Sequence, residues 1–136
     1  MSDTHEVLSV KGLQKQFGPS CSRCATLTKE VLEKNYCPIC GTVYAVQDID
    51  LELYHREILG IVGESGSGKS TLMRCLYFDQ ATCGGEFYLP STPYAEHNLF
   101  TTSRQIQREI RNTILGMVYQ NTVEGMRMNF SSLSNI

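Results

Sequence analysis

An excess of positive charge is missing from this chain: 12 Lys and Arg stand against 14 Asp and Glu, giving a formal net charge of −2. Proteins that track a phosphate backbone or an anionic membrane surface carry a basic excess, so no nucleic-acid partner is expected. No apolar run approaches the ~20 residues of a membrane-spanning helix. The opening residues Met1-Ser2-Asp3-Thr4-His5-Glu6 are polar and acidic, unlike a secretory signal. Internal repeats and low-complexity tracts are absent too. What remains is an ordinary soluble globular protein with a cytoplasmic address. In that reducing compartment the six cysteines are expected as thiols or thiolates rather than disulfides.

With 136 residues, 41% of them hydrophobic, the chain is long enough for one modest domain with a core. Val7 to Val10 reads as a short strand running into Lys11 to Gly18. Ile49, Leu51 and Leu53 alternate with Asp50, Glu52 and Tyr54, the period of a half-buried strand. The apolar runs Ile58 to Val62 and Ile114 to Tyr119 read as two buried strands. Between them, Gly84 to Leu89 is a turn into another strand that Pro90 stops. Thr102 with Gln105 makes a capping box for a helix whose inner face carries Ile106 and Ile110.

The most informative run is Gly63-Glu64-Ser65-Gly66-Ser67-Gly68-Lys69-Ser70, which fits G-x-x-x-x-G-K-[ST], the phosphate-binding loop of nucleotide triphosphatases. An apolar run leads in, and a helical pattern from Thr71 to Leu76 leads out, as the motif requires. Glycines admit positive φ and bring backbone N–H groups close to phosphate oxygens. A helix starting near Lys69 aims its free N–H groups and positive dipole end at the same oxygens. Lys69 is then expected on the β- and γ-phosphates, and the Ser70 hydroxyl on Mg²⁺.

Two C-x-x-C pairs, Cys21-Ser22-Arg23-Cys24 and Cys37-Pro38-Ile39-Cys40, are separated by twelve residues. Each pair places two thiolates on one tight knuckle, and two knuckles complete a tetrahedral site for Zn²⁺, with an iron tetrathiolate as the rival. Leu27, Val31 and Leu32 between them have helical spacing. Two roles stay open for the metal: stapling an inserted segment, or docking a partner. Charges between Pro19 and Gly41 nearly cancel, so a nucleic-acid-binding ribbon is not expected. Cys75, in the helix pattern after the loop, is expected as a small core residue.

The order and wording of these pieces resemble the ATP-binding cassette (ABC) ATPases. The likeness rests on Leu13 to Gly18, Ala45 to Leu53, Glu57 to Leu72 and Ile114 to Asn121, which together cover nearly everything outside the cysteine segment. The resemblance implies an α/β fold: a P-loop NTPase core, incomplete, with a small four-cysteine zinc-knuckle insertion. Residues 1–136 would be the amino-terminal part of an ABC ATPase domain and residues 19–41 the insert. It implies ATP and Mg²⁺ as cofactors, bound by Gly63, Ser65, Gly66, Ser67, Gly68, Lys69, Ser70 and Thr71. Phe17 becomes the adenine-stacking aromatic, although it also reads as a core ring, and Tyr36 or Tyr44 could supply the ring instead. Gln120 becomes the residue that senses Mg²⁺ and the γ-phosphate and couples the site to a partner; with Lys69 it forms the catalytic pair.

Within that family the wording is most similar to oligopeptide-type importers and the ATPase subunit of carbon–phosphorus lyase (phosphonate) systems. Val123 to Arg127 and Ser134 to Ile136 incline the reading to the lyase type. Implied partners are a second ABC ATPase domain, head to tail, and a membrane permease or lyase core subunits, which would hold the chain at the inner face of the membrane. The family's Leu-Ser-Gly-Gly-Gln signature, its Asp-Glu strand and its switch histidine do not occur, since His5, His55 and His97 all precede Gln120. The chain therefore reads as an amino-terminal fragment that binds nucleotide weakly and does not turn it over alone. A non-hydrolytic, metal-stapled nucleotide-binding or docking module is the alternative to an ATPase. Arg56 stands where the family has glycine, which puts the turn before Glu57 in question.

Overall fold

Two long strands form the framework of the computed structural model, which describes residues 5–24 and 35–121. β1 (Glu6–Phe17) and β2 (Val43–Tyr54) pair antiparallel. Val10, Leu13 and Val46 are buried, with Leu8, Ile49 and Leu51 packed against them, while Asp50 and Glu52 face solvent. The alternation around Ile49 therefore marks the core face of β2.

β1 runs further than the sequence pattern implies, because an irregularity between Val10 and Leu13 interrupts the alternation without ending the strand. Gly12 sits there at φ 59, and its N–H donates to Asp50 Oδ1 at 2.6 Å. A bulge of this kind bends the strand and shifts the register by a residue. β3 (Gly84–Tyr88) pairs with the other edge of β1, giving the order β2-β1-β3. A Cβ on Gly85 would stand 2.7 Å from the Leu13 Cα, so β3 reaches β1 only because that position is glycine.

Two helices pack on this sheet. α1 (Lys69–Leu76) buries Leu72, Cys75 and Leu76, and Cys75 takes the core position expected of it. α2 (Arg104–Thr113) buries Ile110. Its N-cap is Ser103, whose Oγ accepts from the Ile106 N–H at 3.4 Å, one residue later than the expected Thr102. Thr102 is unavailable because its hydroxyl donates to the Leu99 carbonyl, closing the preceding turn. Phe87, fully buried, links the layers through rings at 5.8 Å (Phe78) and 5.4 Å (Phe100).

The two runs expected as buried strands, Ile58 to Val62 and Ile114 to Tyr119, are not strands here. All sheet pairing among the described residues is antiparallel, and Ile58, Val62 and Val118 are 98%, 94% and 97% exposed. A parallel strand is held by neighbours and covered on both faces. Among the described residues no strand adjoins either run, so strong β-propensity alone leaves them irregular. Arg56 takes φ 65, so the turn before Glu57 keeps a glycine-type geometry without a glycine. No helix among the described residues is long and apolar enough to cross a membrane. The helical spacing of Leu27, Val31 and Leu32, and the stretches Val123 to Arg127 and Ser134 to Ile136, lie outside the described residues.

Candidate nucleotide and metal sites

The phosphate loop is built by three glycines with separate tasks. Gly66 (φ 82) and Gly68 (φ 92) take left-handed backbone that side chains disfavour. A Cβ on Gly68 would fall 2.1 Å from the Ala45 carbonyl oxygen, so this glycine also lets the loop lie directly on β2. At Gly63 a Cβ would meet Ser67 Oγ at 2.8 Å. Gly68 is the N-cap of α1; no side chain caps that end, and no acidic residue occupies its first turn. The helix terminus is thereby left to an external anion. Lys69 Nζ donates to the carbonyls of Gly63 (2.8 Å) and Glu64 (2.6 Å) and to Ser67 Oγ (3.2 Å). An ammonium group has three donors. A phosphate oxygen therefore reaches Lys69 by displacing one of these loop acceptors.

Two cavities meet at Lys69 and Ser70. The first, about 540 Å³, lies between the loop and β2, where Asn35, Tyr44 and Val46 face Gly66, Lys69 and Thr71. Gly63, Ser67, Gly68 and Ser70 line it as well, whereas Ser65 does not. Phe17 also lies outside this lining; the residue is 40% exposed, with the Lys15 ammonium 4.8 Å from the centre of its ring. Of the two alternatives to Phe17, Tyr44 lines the cavity and Tyr36 does not. The second cavity, about 530 Å³, brings Gln120 and Tyr119 to Lys69 and Ser70.

The segment that carries Gln120 is anchored, one residue before it, by residues that sequence reasoning passed over. Tyr119 donates its hydroxyl to Asp79 Oδ2 at 2.5 Å, and Arg111 pairs with Asp79 Oδ1 at 3.2 Å. The Asp79 carboxylate, with burial second, pushes the Tyr119 phenol up to about 12. Asp79 thus ties α2 and the segment carrying Gln120 to the end of α1. Nothing in the sequence around Asp79 marks it, because its partners lie 32 and 40 residues away.

The four cysteines of the two pairs come together. Their sulfurs all lie within 4.8 Å of one another, with Cys21–Cys24 and Cys24–Cys40 at 3.4 Å and Cys21–Cys37 at 3.9 Å. Four thiolates about 2.3 Å from a tetrahedral zinc stand about 3.8 Å apart, so the donor set fits such an ion. All six cysteines are free of disulfides. The second knuckle is closed by Cys37 N–H to the Thr42 carbonyl (2.8 Å) and Gly41 N–H to the Cys37 carbonyl (2.9 Å). Thr42, fully buried, hydrogen-bonds Cys40 Sγ at 3.1 Å and donates to the Pro19 carbonyl.

Ionisation within the cluster is uneven. The Tyr44 hydroxyl leads in lowering the Cys24 thiol. Cys21 is pushed up to about 11, first by its hydrogen bond with Cys24. Without a cation the cluster keeps some protons; a bound divalent ion replaces them. Phe17 and Val43 are register partners in the β1–β2 ladder, so residues 19–41 leave and rejoin the sheet at one point.

A family model described as ABC transporter matches residues 46–132, which hold the whole phosphate loop and Gln120. The chain belongs to the ABC transporter family. Its core is therefore of the P-loop NTPase type, present in part. The match begins after the cysteine segment. Among curated relatives of this ABC chain are the putative phosphonates utilization ATP-binding protein PhnK of Escherichia coli and the methionine import ATP-binding protein MetN of Rhodospirillum rubrum. PhnK is 35% identical over 65% of the chain and 33% of its own length; MetN is 34% identical over 69% and 25%. The lipoprotein-releasing system ATP-binding protein LolD of Shewanella oneidensis is 33% identical over 81% of the chain and 45% of its own length. The chain thus spans between a quarter and a half of these relatives. Their names concern three different cargoes, so the shared feature is the ATP-binding part.

Proposed function

We propose that this chain is the nucleotide-binding part of an ABC ATPase of the phosphonates-utilization, carbon–phosphorus-lyase type, with a zinc-stapled insert at residues 19–41. The observation that carries the nucleotide reading is the convergence of Lys69, Ser70 and Gln120 on one cavity beside the phosphate loop. Lys69 balances charge on the β- and γ-phosphates once it exchanges a loop acceptor for a phosphate oxygen. Ser70 and Gln120 line that cavity and would offer neutral oxygens to an Mg²⁺ ion, which would neutralise phosphate charge when bound. Gly63, Gly66 and Gly68 keep the loop backbone within reach of the phosphates. Catalytic roles for Lys69 and Gln120 belong to a longer protein, in which a second ABC ATPase domain lies head to tail and further subunits, a permease or lyase core, take up the motion. The likeness to PhnK supports the phosphonate assignment. Cys21, Cys24, Cys37 and Cys40 hold the zinc, a reading supported by their mutual spacing and by the donor chemistry.

Calorimetry of a non-hydrolysable ATP analogue with Mg²⁺ tests the nucleotide reading. The chain is expected to bind, and Lys69→Ala is expected to weaken binding at least about tenfold, the loss of one charge-assisted contact. Equal affinities in the two proteins would sink it.

A further inference from the structure

The second cysteine knuckle and the wall of the nucleotide cavity opposite the phosphate loop are one piece of chain. Asn35 and Tyr44 both line that cavity and are joined by the Tyr44 N–H to the Asn35 carbonyl at 2.8 Å. The next rung toward the knuckle is the bridge between Tyr36 and Val43, and Val43 lines the cavity as well. Beyond it, Cys37 N–H donates to Thr42, and both of those residues are fully buried. Asn35 holds φ 54, the left-handed turn conformation that asparagine takes more readily than most residues with a side chain.

The opposite wall stands on its own bonds. Lys69 ties Gly63, Glu64 and Ser67 together within the loop. The loop touches β2 through Gly68 on Ala45, but none of these loop hydrogen bonds involves Asn35 or Tyr44.

We propose that the tetrathiolate cluster is a positioning element of the nucleotide site: metal held by Cys21, Cys24, Cys37 and Cys40 sets the Asn35–Tyr44 hairpin, and so sets affinity for the nucleoside end of the ligand. This rests on the nucleotide and zinc readings above. Linkage makes the coupling reciprocal, so nucleotide also tightens the grip on metal. Tyr44 acts as the strut, with its N–H closing the hairpin that continues into the second knuckle and its residue in the wall of the cavity.

The test separates the two ends of the ligand. Metal content of the purified full chain is measured first. Affinities are then compared for a magnesium-bound non-hydrolysable ATP analogue and for magnesium tripolyphosphate. Three samples are used: the zinc-loaded chain, the chelator-stripped chain, and Cys21→Ser/Cys40→Ser. Stripping is expected to weaken the analogue about tenfold, the scale of a lost aromatic–base contact, and to leave tripolyphosphate unchanged. Zinc re-addition is expected to restore the wild-type chain but not the double variant. Tyr44→Ala removes the ring from the wall; it is expected to weaken the analogue about tenfold at full zinc content and to leave tripolyphosphate unchanged.

Unchanged analogue affinity after stripping overturns the proposal while the zinc reading survives. Equal weakening of both probes overturns it as well, because the metal would then support the whole fold. A chain that takes up no metal removes the zinc reading and this proposal together. Failure of the zinc-loaded chain to bind either probe removes the nucleotide reading, and the proposal with it.

Discussion

Arg56 carries a backbone strain that its neighbours do not relieve. At φ 65 it occupies the left-handed region, which costs a residue with a Cβ on the order of 1–2 kcal/mol relative to glycine. The turn is nevertheless made, with Glu57 N–H donating to the Tyr54 carbonyl at 3.0 Å and the Glu57 carboxylate accepting from the Tyr54 N–H at 2.9 Å. Arg56→Gly removes the strain but frees the unfolded chain, so a net stabilisation of about 0.5–1 kcal/mol is expected. A urea melt that moves to a lower midpoint would contradict this. The sequence showed the departure from the family's glycine; only the structure showed that the glycine geometry survives it.

Elements were legible where a side-chain pattern repeats and illegible where a partner decides. β2 could be read from the alternation of Ile49, Leu51 and Leu53, and α2 from Ile106 and Ile110. The loop and the cysteine pairs could be read from fixed spacings. The long β1 could not, because Gly12 breaks its pattern at the bulge. Nor could the Ser103 cap, since the Leu99 turn that occupies Thr102 is not written locally. Asp79, which anchors Tyr119 next to Gln120, has no local signal at all. A pH effect belongs at this scale. Tyr94, packed against the core near α2, hydrogen-bonds Glu109, and that carboxylate, ahead of burial, raises its phenol above 10.0. A folded pKa above the unfolded one contributes stability that is complete below about pH 10 and is lost as pH rises through the folded value. Tyr94→Phe is accordingly expected to flatten the alkaline limb of stability against pH. A limb of unchanged slope in denaturation melts would refute the assignment.

For the molecule as a whole, the notable surface is apolar. Ile58, Leu59, Ile61, Val62 and Val118 lie exposed on two runs with strong strand character. In the proposed reading, further strands of a longer ABC domain cover them. The chain by itself is therefore expected to bind an apolar fluorescent dye, and Ile58→Thr with Val118→Thr is expected to cut that signal by about half, in proportion to the exposed apolar area removed. Dye binding that is absent, or untouched by these changes, would mean another surface covers the runs.

The meeting of Phe17 and Val43 at one point of the sheet also bears on how the chain folds. Strands β1 and β2 can zip only after the connection 18–42 has closed, and closure entropy grows with the logarithm of loop length. A metal ion that joins Cys21 to Cys40 leaves only Gly18 to Ser20 on one side and Gly41 and Thr42 on the other to be closed by the sheet. By that scaling the search becomes cheaper by roughly 1 kcal/mol. The ion would then act before any ligand arrives, as a clasp that hastens the pairing of the two longest strands.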